Sequence, residues 1–223
     1  MARFASAHGV TSARGSRKKG PRPDRTDTKG SRRDEPARMT DTLPDLLREG
    51  LDVIFVGINP SLFSVAQGHY FARRTNRFWP SLSRSLFSLR VRQALGVERL
   101  EPIHDHLLLE FGIGFTDLIK RPTANAADLG RAEMAEGADL LVRKLQHYQP
   151  RIVCFHGVTA YRPVAALLGS GIQSFALGEQ LARIGKSRLF VVPNPSPANA
   201  HATPGEQTAW YDRLAAALVE KTG

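Results

Sequence analysis

The chain has 223 residues, 42% of them hydrophobic, with a single cysteine and a formal net charge of +10. That length suits one domain with a sizeable core plus a tail, and a lone cysteine excludes an internal disulfide and argues against a cysteine-built metal cluster. No apolar run approaches the roughly 18 residues that span a membrane, and no apolar segment follows the basic N-terminus, so a cytoplasmic protein is expected.

The charge is unevenly placed. Residues 1–40 hold eleven Lys and Arg against four Asp and Glu, which leaves only +3 for residues 41–223. The first stretch is rich in Gly, Ser, Arg, Lys, Asp and Pro and poor in aliphatics. It cannot bury enough apolar surface to offset its ordering entropy, so residues 1–40 are expected to form a disordered basic tail and 41–223 the folded domain. A basic tail suits a nucleic-acid partner and equally a solubilising arm. After Met39, from which a functional chain could begin, "TDTLPDLLREG" has the first helix-like pattern.

From residue 51 the texture changes. "LDVIFVGIN" is a nearly continuous apolar run that fits a buried parallel strand, and "RIVCFHG" (151–157) and "SRLFVVPNPS" (187–196) repeat the pattern. Helical patterns fall between and after them: "NRFWPSLSRSLFSL", the long amphipathic "GRAEMAEGADLLVRKLQHYQP", "GVTAYRPVAALLG" and "PGEQTAWYDRLAAALVEK". Alternating strands and helices predict an α/β fold with a mainly parallel sheet, whose ligand site lies just beyond the carboxyl ends of the strands.

Three strand-end segments hold the candidate chemistry. In "GINPSLFSVAQGHYFARRTNRFWPSL", Asn59 before Pro60 reads as a helix cap, or as part of a polar loop whose neighbouring aromatics suit a planar ligand such as a flipped base. Phe78 and Trp79 read as core. In "GIGFTDLIKRPTANAADL", Asp117 is either a cap or turn former, or a partly buried acid with a chemical task. In "VVPNPSPANAH", Pro193, Pro195 and Pro197 stiffen a loop suited to pressing on a nucleic-acid backbone, or simply to connecting a strand to a helix. The histidines are scattered without companion ligands, and no Gly-rich phosphate loop is present, so neither metal nor organic cofactor is implied.

Taken together, "GINPSL…GHYFARRTNRFW", "GFTDLIKRPT" and "PNPSPANA" resemble the mismatch-specific uracil/thymine DNA glycosylase family of the uracil-DNA glycosylase superfamily, over about residues 50–220. The resemblance implies a three-layer α/β/α sandwich on a short, mainly parallel sheet. It matches Asn59 to the asparagine that positions the attacking water and Phe71 to the ring that stacks on the extrahelical base. Ile58 and Ser64 match groups lining the base pocket, and Asn194, Pro195 and Ser196 the loop that enters the DNA. The chain departs from the family pattern at Asp117, a position not usually acidic, and at Pro197–Ala200, where Ala198 stands in place of a long plugging side chain.

An asparagine amide can orient a water but cannot take its proton; Asp117 is the candidate for that task or for stabilising an oxocarbenium-like sugar. On this reading a carboxylate at position 59 still holds the water, so Asn59→Asp is expected to be milder than Asn59→Ala. The implied protein is a monofunctional glycosylase, monomeric, acting on double-stranded DNA that contains uracil or mismatches, and associated with the nucleoid through that DNA. A non-catalytic DNA damage-binding protein on the same scaffold is the alternative, and a small-molecule α/β enzyme a more distant one.

Overall fold

The computed structural model describes residues 41–170, 176–200 and 202–219; the tail expected over residues 1–40 lies outside them. The three apolar runs are strands: β1 (Val53–Gly57), β3 (Ile152–His156) and β5 (Ser187–Val192). Two further strands complete the sheet. The stretch that ends in Asp117 is β2 (Ile113–Asp117), and Gly178–Ile184 forms β4. The order is β2-β1-β3-β5-β4, with only the β4–β5 pair antiparallel.

Both faces of the parallel strands are buried, which is why they read as continuous apolar runs. Their side chains nonetheless alternate between two cores. Val53 and Phe55 of β1, Ile152 and Cys154 of β3, and Phe190 and Val192 of β5 face one core. Ile54, Val56, Val153, Phe155, Leu189 and Val191 face the other. The first core is closed by α2 (Phe78–Arg84), α3 (Leu89–Leu95), the 3-10 helix Pro102–Phe111 and α6 (Pro204–Val219). The second is closed by α4 (Arg131–Tyr148) and α5 (Val158–Leu167). A short α1 (Leu62–Gln67) follows β1. The result is the expected α/β/α sandwich. Phe78 and Trp79 are buried, as their pattern predicts. Cys154, the one thiol, is fully buried in the middle strand, and burial raises its pKa well above the ordinary thiol value. Among the described residues no helix is long and apolar enough to cross a membrane.

Two elements differ from the sequence reading. Over its described residues, 41–50, "TDTLPDLLREG" is not a helix. It runs extended past the sheet edge, where Leu46 exchanges two 2.9 Å backbone hydrogen bonds with Phe115. β2 is an edge strand, and its unpaired backbone groups take partners from this segment in preference to leaving them to water. β4 escaped notice because it too is an edge strand, with half of its side chains in water and no apolar run to announce it.

The chain from β1 returns to β2 over one face, and α5 leaves β3 over the other. A crevice therefore opens beyond the carboxyl ends of β1 and β3, at the switch point where ligands bind in such sheets. On the opposite flank α4 packs closely on the residues that follow β2. A Cβ on Gly137 would lie 2.6 Å from the Leu118 carbonyl oxygen and 2.9 Å from Ile119 Cγ1. In an open helix Gly→Ala gains about 1 kcal/mol. Here Gly137→Ala is expected to destabilise by about 1–3 kcal/mol through overpacking, read as a lower denaturant midpoint at unchanged slope.

Candidate active site

A cavity of about 320 Å³ opens beyond the carboxyl ends of the parallel strands. Each of the four contributes: Gly57 from β1, Asp117 from β2, His156 from β3, and Asn194 just past β5. Ile58, Asn59, Ser64, Phe71, Ser196 and Ala198 also line it, so the fold gathers nearly all of the site residues expected from sequence.

Asn59 is not a helix cap. Ser61 caps α1, its hydroxyl accepting from the Ser64 amide at 3.1 Å. The Asn59 side-chain NH2 donates instead to the Arg121 carbonyl at 2.9 Å and to the Thr123 hydroxyl at 2.8 Å. The Thr123 hydroxyl spends its own hydrogen on the Asn125 carbonyl, at 2.7 Å, so it must accept from Asn59. Both partners are acceptors, which fixes the amide orientation and leaves the oxygen as the acceptor available to the cavity. The β1–β2 pairing continues past the strands through Leu118 N–H to Gly57 O and Ile119 N–H to Ile58 O, both 2.9 Å, and holds this corner in register.

Asp117 is neither cap nor turn former. It ends β2 opposite Gly57, and only 4% of its surface is exposed. A Cβ on Gly57 would fall 2.5 Å from Asp117 Oδ1, so the carboxyl group lies over the glycine, in space that any side chain there would fill. Burial raises its pKa to about 6, with Lys120 partly opposing. Lys120 Nζ stands 3.5 Å from Asp117 and 2.9 Å from Asp45, and Lys144 also bonds Asp45. Burial would raise the Asp45 carboxyl, but the two lysines outweigh it and hold it below the ordinary value.

The remaining wall is aromatic. Phe71 adopts φ +53°, a left-handed conformation uncommon for a bulky residue. Its ring stacks on Phe78 at 4.4 Å and meets His156 edge-on at 5.0 Å. Tyr70, beside it, is buried and belongs to the core as well as to the cavity wall. His156 is buried with Nε2 3.1 Å from the Tyr211 hydroxyl, and desolvation takes its pKa down to about 3, so the ring is neutral. Ser64, also buried, accepts from the Ala72 amide at 3.3 Å.

The loop after β5 is tied down by one residue that the sequence did not single out. The Arg77 guanidinium donates to the carbonyls of Ser196 (2.7 Å), Asn199 (2.6 Å) and Ala202 (2.6 Å), and its backbone N–H donates to Pro195 O (3.0 Å). Asn194 Oδ1 accepts from the Ser196 amide at 2.9 Å. Pro195 is buried and does not line the cavity; Ala198 lines it and is exposed. His156 and Thr123 were likewise passed over, though each stood inside a segment already marked, at a strand end and in "KRPT". No cluster of metal-ligating side chains occurs among the described residues.

Fold and cavity define an α/β/α protein with a cavity over the carboxyl ends of its parallel strands. The model of the Uracil DNA glycosylase superfamily matches residues 44–218. The chain belongs to that superfamily of DNA-repair hydrolases. It is also similar to a solution NMR structure of a provisionally assigned uracil DNA glycosylase from Methanosarcina acetivorans, at 20% identity and a TM-score of 0.48, over 78% of this chain and 97% of that one.

The pKa of Asp117 makes stability depend on pH. Between 3.8, the ordinary value, and about 6, the folded protein keeps a proton that the unfolded chain has released. Folding stability therefore falls as pH rises through that window and is level above it. Asp117→Asn has no such term, and Lys120 keeps Asp45 as its partner. The variant is expected to be more stable than the parent by about 1–3 kcal/mol above roughly pH 7, with the gap closing towards roughly pH 4. Urea denaturation of both proteins across that range checks it; parallel curves would show that Asp117 is not a buried titrating group.

Proposed function

We propose that the protein is a monofunctional glycosylase that hydrolyses the N-glycosidic bond of uracil in DNA, mismatched U·G above all, with other damaged pyrimidines as further candidates, and leaves an abasic site. The observation that carries this reading is the pairing, in one cavity, of an amide oxygen held free at Asn59 with a buried carboxyl group at Asp117.

The chemistry follows from the two groups. Departure of the base leaves an oxocarbenium-like sugar, and a water must be aimed at its carbon. Asn59 supplies the aim: its NH2 is fully engaged, so the water donates to its oxygen. Asp117 supplies charge. As an anion it accepts the proton of that water or stabilises the cation, and a pKa near the working pH is where a general base is most effective. The neutral, buried His156 and the aromatic wall keep the surroundings of low polarity, where electrostatic interactions are stronger than in water. Phe71 offers a ring face to an extrahelical base. Asn194, Ser196 and Ala198 border the opening, where the DNA would press on a loop already braced by Arg77.

Three outcomes are expected in single-turnover cleavage of a U·G duplex followed by hot alkali. The parental rate rises with pH through about 6, as Asp117 ionises. Asp117→Asn is slower by at least about tenfold, and its profile loses that rise. A parental rate with an unchanged profile in the variant would remove Asp117 from the reaction. Retained DNA binding without excision in the parent would instead favour a damage-binding protein.

The two donor contacts of Asn59 set the expectation for a carboxylate at position 59. Asn59→Asp places an oxygen against the Arg121 carbonyl and the committed Thr123 hydroxyl, where both partners need a donor. It is therefore expected to be about as damaging as Asn59→Ala, contrary to what the amide's water-holding role alone suggests; a rate near parental would show that the two donor contacts are dispensable.

Phe71→Ala is expected to slow excision by roughly one to two powers of ten, the scale of one base–aromatic stack, with Phe71→Tyr mild. An unaffected alanine variant would place the base elsewhere.

A further inference from the structure

Beside the cavity just described lies a second depression, of about 700 Å³, which shares Phe71, Arg73 and Asn76 with it and runs along α2 to the loop before the 3-10 helix. Its walls hold Arg73, Arg74, Arg84, Arg92 and Arg99, opposed only by Glu98 and Glu101. Glu101 is already engaged, its carboxylate accepting the His104 amide in a capping box. Arg92 is engaged too, with Ser88 and the Glu98 carbonyl. Arg73, Arg74, Arg84 and Arg99 are exposed and make no ion pair or side-chain hydrogen bond with another described residue.

The placement is selective. Residues 41–223 carry a net charge of +3, and this depression alone carries five arginines against two glutamates. Another depression is basic too, lined by Arg151, Arg183, Lys186 and Arg188, but two of its arginines are paired with Asp52 and Glu179; the groove along α2 is the one that shares residues with the base cavity. Like charges gathered without partners repel one another; a polyanion lying among them removes that repulsion. Guanidinium groups also match phosphate oxygens in geometry.

We propose that this groove is the track for the phosphodiester backbone of the strand that carries the extrahelical nucleotide, leading away from the cavity along α2. The proposal rests on the reading of the cavity as a base pocket. The seven residues of α2 extend about 10 Å, the length of about three nucleotide steps of duplex. Arg73, which borders both depressions, takes the phosphate next to the flipped nucleotide. Arg74, Arg84 and Arg99 take those beyond it.

The test uses the full chain with Arg74, Arg84 and Arg99 all changed to Gln, none of which lines the base cavity, and a companion with all three changed to Lys. Binding to a duplex with a central tetrahydrofuran abasic analogue is followed by fluorescence anisotropy over a series of NaCl concentrations. Each phosphate contact contributes about 0.9 to the slope of log K against log salt. The Gln variant is expected to lose roughly 2–3 from that slope and to bind at least about tenfold more weakly. The Lys variant should keep most of the slope. Phosphate-ethylation interference should locate the lost contacts on the lesion strand, to one side of the lesion.

An unchanged slope overturns the track and leaves the active-site reading intact. Interference lost from the complementary strand overturns the choice of strand. A parent that binds through the groove but excises nothing upholds the track and refutes the glycosylase reaction. A parent that does not bind DNA refutes both.

Discussion

A carboxyl group held almost out of water is the constraint around which this domain is arranged. Asp117 can occupy its place only because Gly57, its partner across the β1–β2 ladder, has no side chain. It can be ionised there only because cations are near. Lys120 approaches it directly and is anchored in turn by Asp45, which Lys144 also holds. Asp45 reaches that position because the segment before β1 runs extended along the sheet edge. A helix in residues 41–50 would remove Leu46 from Phe115 and Asp45 from the lysines. The unexpected conformation of an otherwise unremarkable stretch thus belongs to the electrostatics of the cavity.

Rigidity on the other side of the cavity has a different source. The Pro-rich loop after β5 buries Pro193 and Pro195 but leaves Pro197, Ala198 and Ala200 exposed. One guanidinium ties the exposed part down by taking three carbonyls. Because Arg77 comes a few residues after Phe71 and directly before α2, the aromatic wall and the loop are fixed by the same short piece of chain. The strained backbone of Phe71 fits this picture. Its ring is held between Phe78, His156 and the opening, and those contacts outweigh the left-handed conformation.

Much of this was legible in the sequence, for identifiable reasons. β1, β3 and β5 are buried on both faces, so their composition alone marks them. α4 and α6 are amphipathic over many turns. Asn59 and Asp117 stand at strand ends, where the topology of parallel sheets places ligands, and Phe71 stands in the aromatic "GHYF" of the segment that follows the first of them. What the sequence hid depends on long-range partners. Nothing local distinguishes an Asn–Pro that caps a helix from one whose amide is turned by Arg121 and Thr123, more than sixty positions away. Arg77 looks like any surface arginine until the loop some 120 residues later folds back onto it. The edge strand β4 has too little buried surface to carry a pattern, and the arginines of the groove are scattered over residues 73–99 until α2 and α3 bring them to one wall.

The solitary thiol gives the molecule a use independent of its chemistry. Only the thiolate reacts, and Cys154 sits in the middle strand with its acidity suppressed. A water-soluble thiol reagent can reach it only when the sheet itself parts. The rate of modification under native conditions then counts openings of the most protected part of the structure, separately from the fraying of loops and ends. For the same reason a cysteine introduced on the surface would be the only one to react, and a dye or spin label could be placed at the rim of the cavity without first removing the natural residue.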